Sequence, residues 1–251
     1  LHLAGTGAST FSNTTSNFQT LNKLDSGTWT LANPLTAISK LATVSVQAGT
    51  LALQGNNSGF TGATTIASGA TLQGNALSIP GSTTSGATGL TNNGAIAFTD
   101  NGSGSYSGII AGTGGVSMTG SGVLTLSGAN TYSGGTTVSS GTLVGTTTSI
   151  QGNVVNNSVL NFIQAGNGAY AGVMSGTGSL VVDGPGEVTL SGNNTYTGNT
   201  TINAGGALTL ADSGTIANSS LVTPITAPSI FSKKQRIPIY LVIMFNLAQL
   251  P

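Results

Sequence analysis

The sequence predicts an all-β fold, wound as a right-handed parallel β-helix of roughly 21 residues per coil. Three observations carry this. A long phrase recurs 64 residues later without a gap. Apolar and polar residues alternate inside short runs. Clusters of Gly, Asn and Ser separate those runs.

The repeat comes first. "LTLSGANTYSGGTTVSSGTLVG" (Leu124 to Gly145) returns as "VTLSGNNTYTGNTTINAGGALTL" (Val188 to Leu210). Aligning Leu126 with Leu190 also superposes Asn92 on Asn156, Phe98 on Phe162, Tyr106 on Tyr170, Tyr132 on Tyr196 and Val138 on Ile202. Looser copies occur earlier. "GTWTL" at Gly27 matches "GVLTL" at Gly122 and "GEVTL" at Gly186, and "LALQGNNSGFTGATTIASGATL" (Leu51 to Leu72) matches Leu124 to Leu143.

The strands follow from the alternation. Leu124 and Leu126 share one face of "VLTL", with Val123 and Thr125 on the other. Val188 and Leu190 do the same in "EVTL", as do Trp29 and Leu31 in "TWTL". A period of two with one apolar face marks a half-buried strand. The inward set is predicted as Leu124, Leu126, Val138, Leu143, Val188, Leu190, Ile202 and Leu208. Gly and Asn supply the positive φ that tight corners need.

Sixty-four residues are too many for one hairpin and suit about three coils of roughly 21 residues. A strand spacing of about 4.8 Å would then put equivalent residues about 14 Å apart. Some ten coils up to residue 220 would make a rod roughly 50 Å long. On this reading the phrase is a stacking unit.

Composition restricts the function. Only 4% of residues are charged and the formal net charge is zero, against roughly 25% charged in ordinary domains. Nucleic-acid binding needs clustered Lys and Arg, and none is present outside the C-terminal tail. There is no Cys, so disulfides, thiolate metal sites and thiol catalysis are out. "LHLAGTGAST" has neither the basic start nor the apolar run of a signal peptide. With no initiator Met, the chain reads as an excised or partial sequence.

The quoted phrase, with "SYSGIIAGTGGVSMTGSGVLTLSG" (Ser105 to Gly128) and "AYAGVMSGTGSLVVDGPGEVTLSG" (Ala169 to Gly192), resembles the passenger-associated β-strand repeat of bacterial autotransporters. The likeness covers about residues 15–215. It implies a parallel β-helix passenger, displayed at the bacterial cell surface by type V secretion through a C-terminal outer-membrane barrel. Neither a signal peptide nor that barrel is present in this chain.

No catalytic, cofactor-binding or metal-binding residue is expected. His2 is the sole histidine and stands at the ragged start. Asp183 and Glu187 flank a Gly184-Pro185-Gly186 corner and read as two separate surface groups rather than an acid/base pair. "TDNGSG" (Thr99 to Gly104) lacks the regular Asp of calcium solenoids. "GTGG" (Gly112 to Gly115) and "GTGS" (Gly176 to Ser179) lack the Lys of a phosphate loop. The recurring aromatic–small–Gly triplets begin at Phe60, Tyr106, Tyr132, Tyr170 and Tyr196. They read as corner packing in preference to glycan stacking. Asn57, Asn130 and Asn194 read as turn-makers.

Two domains are expected. Residues 1–220 form the β-helix. Residues 221–251 are a non-repeat Pro- and apolar-rich tail, disordered or aberrant, whose run Ile237 to Leu250 is too short to span a membrane. The expected function is a non-enzymatic stalk or adhesin scaffold, with no cofactor and no obligate oligomer. A host-surface, glycan or protein ligand is left open. The alternatives are a polysaccharide-acting β-helix enzyme and a carbohydrate- or ice-binding solenoid. The first would need clustered charge on one face, the second an outward Thr-x-Thr at every coil.

Overall fold

The computed structural model describes residues 1–12, 17–81, 89–224, 230–234 and 241–243. Over these residues the chain is a β-solenoid of about 11 turns. Apart from one turn of 3₁₀ helix at Leu35–Ala37, its regular elements are all strands. Neighbouring strands pair in parallel, except at the last pair.

A coil can be followed from Leu90. Leu90–Asn92 lies in a first sheet, Ala95–Phe98 in a second and Ser103–Tyr106 in a third. Ile110–Ala111 then returns to the first sheet against Leu90–Asn92, and Gly115–Met118 lies on Ala95–Phe98. The second sheet runs furthest, with nine strands from Ala8–Phe11 to Met174–Ser175. A fourth sheet opens at Gly168–Tyr170 and continues through Glu187–Leu190 and Ala207–Ala211.

The step between paired residues is commonly 20, as in Ala95 to Gly115, but it runs from 17 (Thr142 to Val159) to 26 (Thr64 to Leu90). The uniform coil of roughly 21 residues is therefore corrected. Strand length and register are set by ladder bonds and inward side chains, while corners absorb the length differences.

The predicted inward set is buried throughout: Leu124, Leu126, Val138, Leu143, Val188, Leu190, Ile202 and Leu208. They form columns. One in the second sheet is Leu51, Leu72, Ile96, Val116, Thr136, Val154 and Met174. Another in the third is Leu124, Leu143, Leu160, Leu180 and Thr200. Burying one Leu or Val side chain contributes about 1.5–3 kcal/mol. A continuous column thus stabilises a chain that has no disulfide.

The 64-residue copies do not stack directly. Phe98 aligns in the second sheet with Met118, Val138 and Asn156, so three coils take 156 − 98 = 58 residues. Its counterpart Phe162 lies six residues further on, in the third sheet, against Val182. In the same way Leu126 is in the third sheet and Leu190 in the fourth. Each copy is displaced to the next sheet, which replaces the expected 14 Å stacking.

In the tail, Val222–Pro224 pairs with Thr200–Ile202 and Ile230–Lys234 pairs with Ala207–Ala211, both in parallel. Leu241–Ile243 then folds back antiparallel on Ile230–Lys234. Its backbone extends the third and fourth sheets, although its text is not that of the repeat. The rest of the run Ile237 to Leu250, residues 237–240 and 244–250, lies outside the described residues.

Candidate functional site

The chemically capable residues are placed one by one along the rod. His2 lies in the first strand, paired with Asn22 at an exposed position. Asp183 sits outward on the third sheet, where Asn161 donates to its Oδ2 at 2.8 Å and Asn203 to its Oδ1 at 2.5 Å. Glu187 accepts from the Thr189 hydroxyl at 3.2 Å. The two carboxylates thus have separate partners on either side of the Gly184 corner, where φ is 91°. Among the described residues, no three His, Asp or Glu side chains gather in one place.

Asp100, from "TDNGSG", turns inward. It is 6% exposed and accepts from the Ala76 N–H at 3.1 and 3.0 Å. Burial pushes its carboxyl above the usual range, against the lowering effect of those backbone bonds. Its role on the page is to tie one coil to the coil before it.

The aromatic triplets are corner packing. Phe60, Tyr106, Tyr132, Tyr170 and Tyr196 are all buried. Phe98 meets Tyr106 edge-on with centroids 5.4 Å apart, and Phe162 meets Tyr170 at the same distance. Each buried tyrosine hydroxyl has a partner. Tyr106 donates to the Pro80 carbonyl at 2.9 Å and Tyr170 to that of Gly152 at 2.5 Å. Tyr132 and Tyr196 bond Thr136 and Thr200 at 2.7 and 2.6 Å. Burial raises the hydroxyl pKa of all four, Tyr196 to about 12.

Asn57, Asn130 and Asn194 do more than turn the chain. Asn130 Oδ1 accepts from the Ile110 N–H at 2.8 Å and its Nδ2 donates to the Ser149 carbonyl at 2.6 Å. One buried side chain therefore joins the coil below to the coil above. Asn57 does the same between Leu35 and Ser78. Asn194 accepts from Met174 but donates to Gly192 on its own coil. The sequence signal for this staple was the recurrence of Asn two residues before each buried Tyr.

Lys23 was missed. It is fully buried, in register between Leu3 and Val46 in an apolar column. Its amine donates to the carbonyls of Asp25 and Ala48, and burial lowers its pKa against the opposing pull of Asp25. The alternation in "TLNK" put Lys23 on the face of Leu21, which was the available signal.

The outward faces carry no recurring ladder. Along one outward row of the second sheet the residues are Thr30, Ala52, Gln73, Ala97, Ser117, Thr137, Val155 and Ser175. Inward positions repeat and outward ones do not.

Three segments, 47–73, 116–144 and 180–210, match the family described as Passenger-associated-transport-repeat. The chain carries passenger-associated-transport repeats. No curated protein and no solved structure matches it. The second repeat occupies strands of the second and third sheets, and the third repeat those of the third and fourth. The repeats indicate an autotransporter passenger context. Among the described residues no helix is long and apolar enough to cross a membrane.

Proposed function

We propose that this rod is a non-enzymatic spacer of an autotransporter passenger, which holds other parts of the full-length protein away from the bacterial surface. The observation that supports this is the one-sheet step between copies. A repeated ligand-binding ladder would need the same outward residue on the same face at every coil. Here the repeat moves from sheet to sheet and keeps only its inward chemistry, because every sheet makes the same demand for alternating apolar side chains.

The test pairs stability with binding. Leu126→Asp is expected to abolish cooperative unfolding, since an unpaired buried carboxylate is costly. Thr125→Asp, on the outward face, is expected to leave the thermal midpoint unchanged. Both proteins and the parent are then tested on a panel of glycans. Saturable binding, or turnover lost on replacing both Asp183 and Glu187, would replace the spacer reading by a ligand or enzyme reading.

A further inference from the structure

The chain contains three Asn-Gly pairs, Asn93-Gly94, Asn101-Gly102 and Asn167-Gly168. A glycine with no Cβ leaves its backbone nitrogen unshielded, so such pairs are where an asparagine closes most readily on its own chain. The fold treats the three differently.

Asn93 and Asn101 share one arrangement of the carbonyl. Thr113 donates to Asn93 Oδ1 from its N–H at 3.1 Å and its hydroxyl at 3.3 Å. Ser121 donates to Asn101 Oδ1 from its N–H at 3.2 Å and its hydroxyl at 3.3 Å. Two donors on one carbonyl oxygen polarise the carbon and stabilise negative charge that develops on the oxygen. The pairs differ at the nucleophile. The Gly94 N–H is bound to Asn92 Oδ1 at 3.1 Å. Gly102 is exposed with open space around it, and its N–H has no acceptor among the described residues. At Asn167 there is one donor, the Glu187 N–H at 3.3 Å, and Gly168 is held in a strand against the side chains of Gln164 and Thr147.

We infer that Asn101 is a self-modification site, at which the Gly102 nitrogen closes on Asn101 Cγ in the folded rod. A bond forms from the Gly102 nitrogen to Cγ and the Cγ–Nδ2 bond breaks. Ammonia leaves with the former backbone proton, and a cyclic imide remains. Water then opens the imide at one carbonyl to give Asp, or at the other to give isoaspartate. Either product adds one negative charge to a chain of zero formal net charge, beside the buried Asp100. Isoaspartate also lengthens the main chain at a corner where Gly120 and Gly122 of the next coil pass too closely to admit a Cβ.

The test holds the folded full chain in mildly alkaline buffer and measures amide-to-acid conversion at all three pairs by peptide mass spectrometry. A sample unfolded in guanidinium runs alongside. In the folded protein Asn101 converts several-fold faster than Asn93 and Asn167, and unfolding removes most of that difference. Ser121→Ala, at an exposed position, slows Asn101 and leaves the other two unchanged. Conversion of Asn93 at the rate of Asn101 in the folded chain would overturn the inference, and so would a Ser121→Ala rate equal to that of the parent.

Discussion

The residues that hold this rod together are polar as well as apolar. Asn130 satisfies the Ile110 N–H and the Ser149 carbonyl in a site that is 4% exposed. Asn130→Ala leaves both groups without a partner, at a cost of about 1–3 kcal/mol each. Chemical denaturation should show a loss of that order, while Asn157→Ala, at an exposed corner, stays within about 0.5 kcal/mol of the parent. Lys23 works in the opposite sense. Its folded pKa is depressed below its unfolded one by burial, so over the window between the two the unfolded chain binds more protons and stability rises with pH. The contribution is fully present above the ordinary value of 10.5 and is lost as pH falls through the depressed folded value. Lys23→Met fits the column between Leu3 and Val46. It should raise the midpoint at neutral pH and remove the alkaline rise. A lower midpoint in Lys23→Met would show that the two carbonyl bonds outweigh the desolvation.

At the scale of the element, the corners decide where coils meet. A Cβ on Gly186 would collide with the Gly166 carbonyl of the preceding coil, whereas a Cβ on Gly166 meets nothing within 4 Å. Neither glycine has a positive φ, so the comparison isolates close approach from backbone conformation. Gly166→Ala is expected to be neutral, or stabilising by about 0.4–1 kcal/mol through the unfolded state. Gly186→Ala is expected to destabilise by more than that gain, because carbonyl and Cβ cannot share the space. Thermal midpoints of the two variants measure the difference, and equal midpoints would show that the corner opens without cost. Gly176 combines both demands, with φ of 102° and the Asn156 carbonyl in the way of a Cβ.

The whole molecule ends in strands that the repeat does not encode. Val222–Pro224 and Ile230–Lys234 extend the third and fourth sheets, and Leu241–Ile243 reverses direction on the last of them. Parallel growth stops at such a reversal, and Pro224 removes one N–H from the edge of the third sheet. Both are ways in which an open edge is blunted. Truncation after Ser220 leaves Thr200–Ile202 and Ala207–Ala211 as open edges. It is expected to lower the midpoint and promote end-to-end association. An unchanged midpoint at matched concentration would return residues 221–251 to the unselected tail expected from composition.

The sequence by itself determined the strands, their inward faces and the stacking of coils, since alternation such as Leu124-Thr125-Leu126 states which side is buried whatever lies above or below. It also determined that the Tyr106, Tyr132, Tyr170 and Tyr196 triplets are packing. Only the tertiary structure decided which copy lies on which sheet. The corner from Thr136 to Val154 is shorter than that from Ile96 to Val116, and such differences sum over three coils to move Phe162 one sheet beyond Phe98. The same holds for Asn130 and Lys23. Their partners Ile110, Ser149 and Ala48 lie about a coil away in the chain, and a period of two records the direction of a side chain but not what it meets.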